Sequence, residues 1–215
     1  MISIHRAANL PECSDQLTLI VIGCGRGGTS LVAGAASILG VDMGSPHDSI
    51  NHEDMEIVFA AQNRNSDGIL IDETVEVNIE RVVNIIRKRN IEKTIWGWKD
   101  PSADMYLAEV ANELRNPFVL FVNRDMAAIA QSEVKQMQCS IEQAYEMALL
   151  RFGRYWELLQ KLRWPTLFVS YERAALDPES LLSGIADFVG LDQPSGCQLD
   201  LVRRFASGRA YRALA

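Results

Sequence analysis

Basic residues are in short supply in this chain: 21 Lys and Arg against 28 Asp and Glu leave a net charge of −7 at pH 7. Binders of nucleic acid or anionic membranes need a broad basic face, so neither partner is expected, and any anionic ligand must meet a local basic pocket. Cysteine is scarce too. Cys13, Cys24, Cys139 and Cys197 are scattered without a C-x-x-C pair, which argues against a metal site or a disulfide framework and fits reduced thiols in a cytoplasmic protein. No apolar run approaches the roughly 20 residues of a membrane span, and the opening MISIHRAANLPECSDQ has no signal-peptide core. Repeats, low-complexity stretches and Pro/Gly/Ser-rich linkers are also missing. The 215 residues, 48% apolar, therefore read as a single domain over 1–215 with an N-terminal extension over 1–15, and nothing in the pattern fixes an oligomeric state.

What the chain does have is concentrated in residues 17–30, LTLIVIGCGRGGTS, where a buried-type strand runs into a glycine-rich turn. Gly23, Gly25, Gly27 and Gly28 lack side chains that would keep backbone N–H groups away from an anion. Behind the turn, Leu31, Val32, Ala35, Ile38 and Leu39 keep helical spacing, with Gly40 at the C-cap position. The N-terminus of that helix adds its dipole to the same anion site, and Arg26 adds a permanent charge. Gly23 and Gly28 have Walker separation, but Thr29 stands where G-x-x-x-x-G-K-[ST] requires lysine, so an ordinary nucleoside triphosphatase is disfavoured.

Buried strands are predicted over 94–98, 118–123 and 166–170, with a weaker candidate over 69–71. Helical patterns separate them. Thr74 is placed to cap a helix carrying Val75, Ile79, Val82, Val83 and Ile86 on one face; Ser140 and Gln143 form a capping-box pattern ahead of Ile141, Ala144, Tyr145, Ala148, Leu149 and Phe152, in a helix running to about residue 162. Asp177 and Pro178 suit N-cap and N1 of a further helix with Leu181, Leu182, Ile185, Phe188 and Val189 inward and Gly190 at its end. Strands alternating with helices imply an α/β fold, a three-layer αβα P-loop-like arrangement around a mostly parallel sheet. Ligands of such sheets gather beyond the carboxyl ends of the strands. The residues at those ends are Gly23 to Ser30, Lys99 and Asp100, Arg124 and Asp125, and Tyr171 and Glu172. Positive groups thus converge on one rim of an acidic molecule, as a polyanionic ligand would require.

These residues resemble the sulfotransferases that use 3′-phosphoadenosine 5′-phosphosulfate (PAPS), above all bacterial members with a short R-S-G-T-[ST]-like loop. Arg26-Gly27-Gly28-Thr29-Ser30 looks like the 5′-phosphosulfate loop, with Gly27 in place of the usual serine. Arg124 after the 118–123 strand and Ser132 eight positions later look like the pair that holds the 3′-phosphate. Lys99, in Trp96-Gly97-Trp98-Lys99-Asp100-Pro101, looks like the lysine that neutralises charge on the transferring group. Finally, Phe168-Val169-Ser170-Tyr171-Glu172, Leu176-Asp177-Pro178-Glu179 and Phe188-Val189-Gly190-Leu191 resemble the C-terminal Y-E-D-L, D-P-E and F-L-G-L series, which would put Tyr171 near the adenine. The resemblance spans about residues 17–191.

It implies sulfuryl transfer from PAPS to a hydroxyl or amine of a small-molecule or carbohydrate acceptor, with 3′-phosphoadenosine 5′-phosphate (PAP) as product. Arg26 and Lys99 would stabilise the developing charge. For the general base, Asn51-His52-Glu53-Asp54 resembles the glutamate-bearing segment of bacterial relatives, pointing to Glu53 first and His52 second, with His47 and Asp100 as further candidates. Acids after a helix N-cap would look the same for purely structural reasons. The R-K-G-type contact to the 3′-phosphate is absent, and Arg203, Arg204, Arg209 and Arg212 fall in that region without its neighbours. Cys24 in the loop is either a reactive thiol at a helix N-terminus or a small buried side chain. A P-loop kinase-like phosphotransferase and a nucleotide-binding module without a working base are the alternative readings.

Overall fold

The computed structural model describes residues 4–5, 16–44, 52–65, 68–71 and 77–207. In chain order the elements are β1 (Ile4–His5), β2 (Leu17–Gly23), α1 (Thr29–Ile38), α2 (Met55–Ala61), α3 (Ile79–Glu92), β3 (Ile95–Lys99), α4 (Leu107–Val110), β4 (Pro117–Asn123), α5 (Met126–Met137), α6 (Ile141–Leu162), β5 (Thr166–Ser170), α7 (Tyr171–Leu176), α8 (Pro178–Val189) and α9 (Gly196–Ala206). The strands form one sheet in the order β1-β5-β4-β2-β3. β3, β2, β4 and β5 are parallel, and β1 adds an antiparallel edge through Ile4↔Leu167 and His5↔Thr166.

Alternation along the buried strands builds two cores. Leu19 and Val21 of β2, with Leu120 and Val122 of β4, face α1, α8 and α9; Ile20, Ile22, Val119 and Phe121 face α2, α3, α4 and α6. Both faces are covered, as a parallel sheet requires. After β2 the chain crosses to β3 on one side of it and returns to β4 on the other. The crevice outside β2 and β4 is therefore the topological switch point, where such sheets bind ligands.

Local chemistry sets most of the helix ends. Ser140 and Gln143 close a reciprocal capping box on α6, Asp177 caps α8 with Pro178 at its first position, and Gly190 ends it in the left-handed region at φ 74. Three expectations need correction. α3 is capped by Asn78, whose side chain accepts from Arg81 N; Thr74 and Val75 lie outside the described residues. At 69–71 there is a single antiparallel bridge, Arg64↔Leu70, rather than a strand; Ile69, Leu70 and Ile71 are exposed and pair with no strand among the described residues. On α6, Ile141, Tyr145 and Leu149 point outward, while Ala144, Ala148, Tyr155, Leu158 and Leu159 are buried. α6 packs against α5, with Ala148 and Phe152 clustered on Ile129 and Met126. Among the described residues no helix is long and apolar enough to cross a membrane.

α1 approaches α9 closely because Gly34 has no side chain: a Cβ there would lie 2.2 Å from the Phe205 ring, which is fully buried. Gly→Ala inside a helix ordinarily stabilises by about 1 kcal/mol. Here overpacking wins, and Gly34→Ala is expected to lower the unfolding free energy in urea by about 1–3 kcal/mol, with Phe205→Leu in the same chain recovering part of it.

Candidate active site

β2 delivers its glycine-rich turn directly onto the switch point. Gly27 is buried in that turn, its N–H donating to Cys24 O at 2.9 Å. Arg26 occupies the left-handed region at φ 61, which costs a non-glycine residue about 1 kcal/mol. Hydrogen bonds from two other parts of the site hold it there. Arg26 Nε donates to Ser132 Oγ at 2.9 Å, and Arg124 Nη1 donates to the Arg26 carbonyl at 2.7 Å. Asp125 caps α5 by accepting from Ala128 N at 2.8 Å, which fixes Arg124 at the mouth of that helix and Ser132 two turns along it.

Tyr171 closes the back of the turn. Its ring lies beneath the Arg124 guanidinium, 4.8 Å from carbon to centroid, and against Gly28, where a Cβ would fall 2.0 Å from ring carbon Cδ2. Gly28 also has φ 84 as the N-cap of α1, so glycine is required there twice over. Glu172 Oε1 accepts from Asp125 N at 2.9 Å, tying the β5–α7 junction to the β4–α5 junction. Arg124 Nε is buried and has no hydrogen-bond partner among the described residues.

Lys99 ends β3 almost wholly buried, and its Nζ donates to Glu53 Oε1 at 2.7 Å. Burial pushes the lysine pKa below its usual value, while the Glu53 carboxylate pulls it back up. The next residue, Asp100, is equally buried. It accepts from Ser102 N at 2.7 Å and from the Tyr106 hydroxyl at 2.8 Å, and that hydroxyl accepts from Trp98 Nε1 at 3.1 Å. Burial raises the Asp100 pKa. Its carboxylate is occupied in holding the segment after β3.

The Glu53 side is anchored by a group that no motif marks. Asp54 is fully buried, caps α2 through Glu56 N, and is gripped by both terminal nitrogens of Arg89, the Nη2–Oδ1 contact being 3.1 Å. Arg89 Nη2 also reaches Glu56 Oε2 at 2.6 Å, and its guanidinium lies 5.4 Å from the Trp96 ring centroid. Since Asp54 comes directly after Glu53, this clamp sets where Glu53 emerges beside Lys99.

Arg26, Gly28, Thr29, Ser30, Glu53, Lys99, Arg124 and Tyr171 all line one cleft of about 770 Å³, within the usual range for small-ligand sites. Ser132 supports it through Arg26. His52 is elsewhere: buried at φ 51, it packs edge-on against Phe205 at 5.2 Å and does not line the cleft. His47, Arg209 and Arg212 lie outside the described residues. Arg203 pairs with Glu179 and Asp200, and Arg204 Nε bonds Asp200 O, so neither reaches the cleft. Cys24 is buried, donates to Ala148 O at 3.5 Å, and has its pKa raised by burial, the reverse of an activated thiol. Sequence reasoning missed Arg89, Arg151 and Arg154. The only available signal for the last two was their place on the stripe of α6 that continues Ala144, Met147 and Ala148.

No protein-family model matches the chain, and no curated protein matches it. Solved structures do. The sulfotransferase domain of the Synechococcus PCC 7002 olefin synthase aligns with TM-score 0.59 and 16% identity over 96% of this chain and 91% of that one. The sulfotransferase domain from the curacin biosynthetic pathway gives 0.59 and 14% over 86% and 76%. Mouse sulfotransferase SULT7A1, complexed with PAP, gives 0.55 and 13% over 91% of this chain and 66% of that one. The chain has a sulfotransferase-like α/β fold of the P-loop kind.

Two measurements check this geometry. Arg89→Met strands the Asp54 carboxylate and is expected to cost about 3–5 kcal/mol in urea unfolding, whereas Arg89→Met with Asp54→Leu recovers most of the loss. In Glu53→Gln, Lys99 loses the carboxylate that raises its pKa, so its ε-carbon NMR signal is expected to titrate at lower pH than in the wild-type chain.

Proposed function

We propose that this chain is a PAPS-dependent sulfotransferase that transfers a sulfuryl group to a hydroxyl or amine of a small-molecule or carbohydrate acceptor in the cytoplasm. The observation that carries the proposal is the Lys99–Glu53 pair, which opens onto the same cleft as the Arg26 turn. A cation for the leaving nucleotide and a carboxylate for the acceptor proton are thereby held one hydrogen bond apart, at the end of an anion-binding turn that lacks the Walker lysine.

Two further observations support a nucleotide donor in this cleft. Gly28 lets the Tyr171 ring pack directly against the turn, where any Cβ would clash with it, and the buried Nε of Arg124 leaves a donor unused. Arg26 and the N-terminal turn of α1, at Thr29 and Ser30, would hold the 5′ phosphosulfate; Arg124, with Ser132 behind Arg26, would hold the 3′-phosphate; and Tyr171 would adjoin the adenine. The donor supplies the sulfuryl group, and PAP departs with the electrons of the broken S–O bond. Glu53 takes the acceptor's proton as the new S–O bond to a hydroxyl, or S–N bond to an amine, forms. Lys99, held without room to reorganise, opposes the charge that gathers on the departing oxygen.

PAP is expected to raise the melting temperature without Mg²⁺, and ATP with Mg²⁺ to do no better; the opposite order would assign the cleft to a kinase-like enzyme. Arg26→Ala and Arg124→Ala should each weaken PAP binding by about tenfold or more. Glu53→Gln should keep PAP binding while transfer falls by about 10²–10⁴-fold. Undiminished transfer in that variant would remove Glu53 as the base.

A further inference from the structure

The cleft has lining residues that the nucleotide reading leaves unused. Arg26, Lys99 and Arg124 come from the strand ends, and α5 and α6 also line the cleft, where Met137, Met147 and Leu150 stand exposed. Flexible thioethers and a leucine make an adaptable apolar surface. Next along α6, one turn apart, are Arg151 and Arg154, which line the same cleft. Arg151 Nη1 donates to Pro101 O at 3.1 Å, which fixes it against the segment just after Lys99.

Asp104 lies behind both arginines. Its side chain is 1% exposed and accepts no hydrogen bond among the described residues; Arg151 Nε is 4.0 Å from one oxygen and Arg154 Nη1 is 3.7 Å from the other. One carboxylate thus faces two guanidiniums at long range, leaving one positive charge over and most of their N–H donors unspent. Arg154, 65% exposed at its side chain, makes no hydrogen bond to any described residue. The carboxylates that line the cleft do not cancel this charge locally: Glu53 is committed to Lys99, and Glu133 lies by the turn, with Oε1 3.2 Å from where a Gly25 Cβ would be.

Resting on the sulfotransferase reading, we infer that the acceptor is an amphiphilic anion, with an acid group held by Arg151 and Arg154 and an apolar stem along Met137, Met147 and Leu150. A carbohydrate acceptor matches this wall less well. Sugars call for many fixed polar contacts and an open aromatic face, and Tyr171, the aromatic residue in the lining, is covered by Arg124.

The test uses octanoate, octan-1-ol and acetate as probes, titrated calorimetrically into the whole chain with and without saturating PAP. With PAP bound, octanoate should bind at least about fivefold tighter than octanol, as one half-exposed charge-assisted contact allows. Acetate, which has the head without the stem, should bind at least about tenfold more weakly than octanoate. Arg154→Gln, a change at an exposed side chain, should bring octanoate to the level of octanol, while Arg154→Lys keeps most of the preference. Lys161→Gln, on the same helix but outside the cleft, should change nothing. Equal binding of octanol, an unaffected Arg154→Gln, or no octanoate binding beside bound PAP would overturn the inference while leaving the nucleotide reading intact. Octanoate binding that depends on Arg154 in a chain that fails to bind PAP would do the reverse, sustaining the anionic pocket and ending the sulfotransferase reading.

Discussion

Four parallel strands share one hydrogen-bonded register, so Lys99 pairs beside Val21, Gly23 beside Val122, and Asn123 beside Ser170. These four strands therefore end at the same edge within three residues, and the segments leaving them are forced into one place. Those segments carry Arg26, Lys99 and Arg124. Bringing these like charges together is unfavourable unless each is held by something of opposite sign or by a dipole. The interactions that do so define the site: Arg26 on Ser132, Arg124 on the Arg26 carbonyl and the Tyr171 ring, and Lys99 on Glu53.

Burial makes these interactions demanding. A buried ion pair gains little net stability, because desolvation offsets most of the attraction, yet losing one partner is costly. Lys99–Glu53 and Arg89–Asp54 are both of this kind, and they lie in sequence-adjacent positions, Glu53 next to Asp54. The second pair stabilises the backbone that presents the first. Such an arrangement is difficult to explain as a device for stability alone, since apolar side chains would fill the same space at lower cost. It is readily explained if Glu53 must be presented at one point beside a cation.

Much of the scaffold was legible because its signals are local. The strand over 166–170, the capping box of Ser140 and Gln143, and the Asp177-Pro178 start with its Gly190 stop each depend on a few neighbouring residues, and each appears where those residues put it. Ile4–His5 was not legible, since two residues carry no periodicity and the strand exists through β5. The inward face of α6 was misread for a related reason. Ile141, Tyr145 and Leu149 fit a helical stripe, but α5 and the sheet meet the helix along Ala144, Ala148 and Tyr155. Periodicity gives a face to a helix without saying which neighbour it will meet.

The sequence by itself determined the alternation of strand and helix, the glycine-rich turn that carries Arg26 and has Thr29 where a Walker motif has lysine, and the rim on which Lys99 and Arg124 would emerge, because strand ends and turns are written in adjacent residues. Only the tertiary structure decided the partners. Arg89 lies 35 residues from Asp54 and Lys99 lies 46 from Glu53, and His52 faces Phe205 instead of the cleft that its neighbour Glu53 lines. Arg151 and Arg154 became part of that cleft because α6 folds back across the segment after β3. Contacts between residues so far apart depend on how whole elements pack, and no spacing along the chain encodes them.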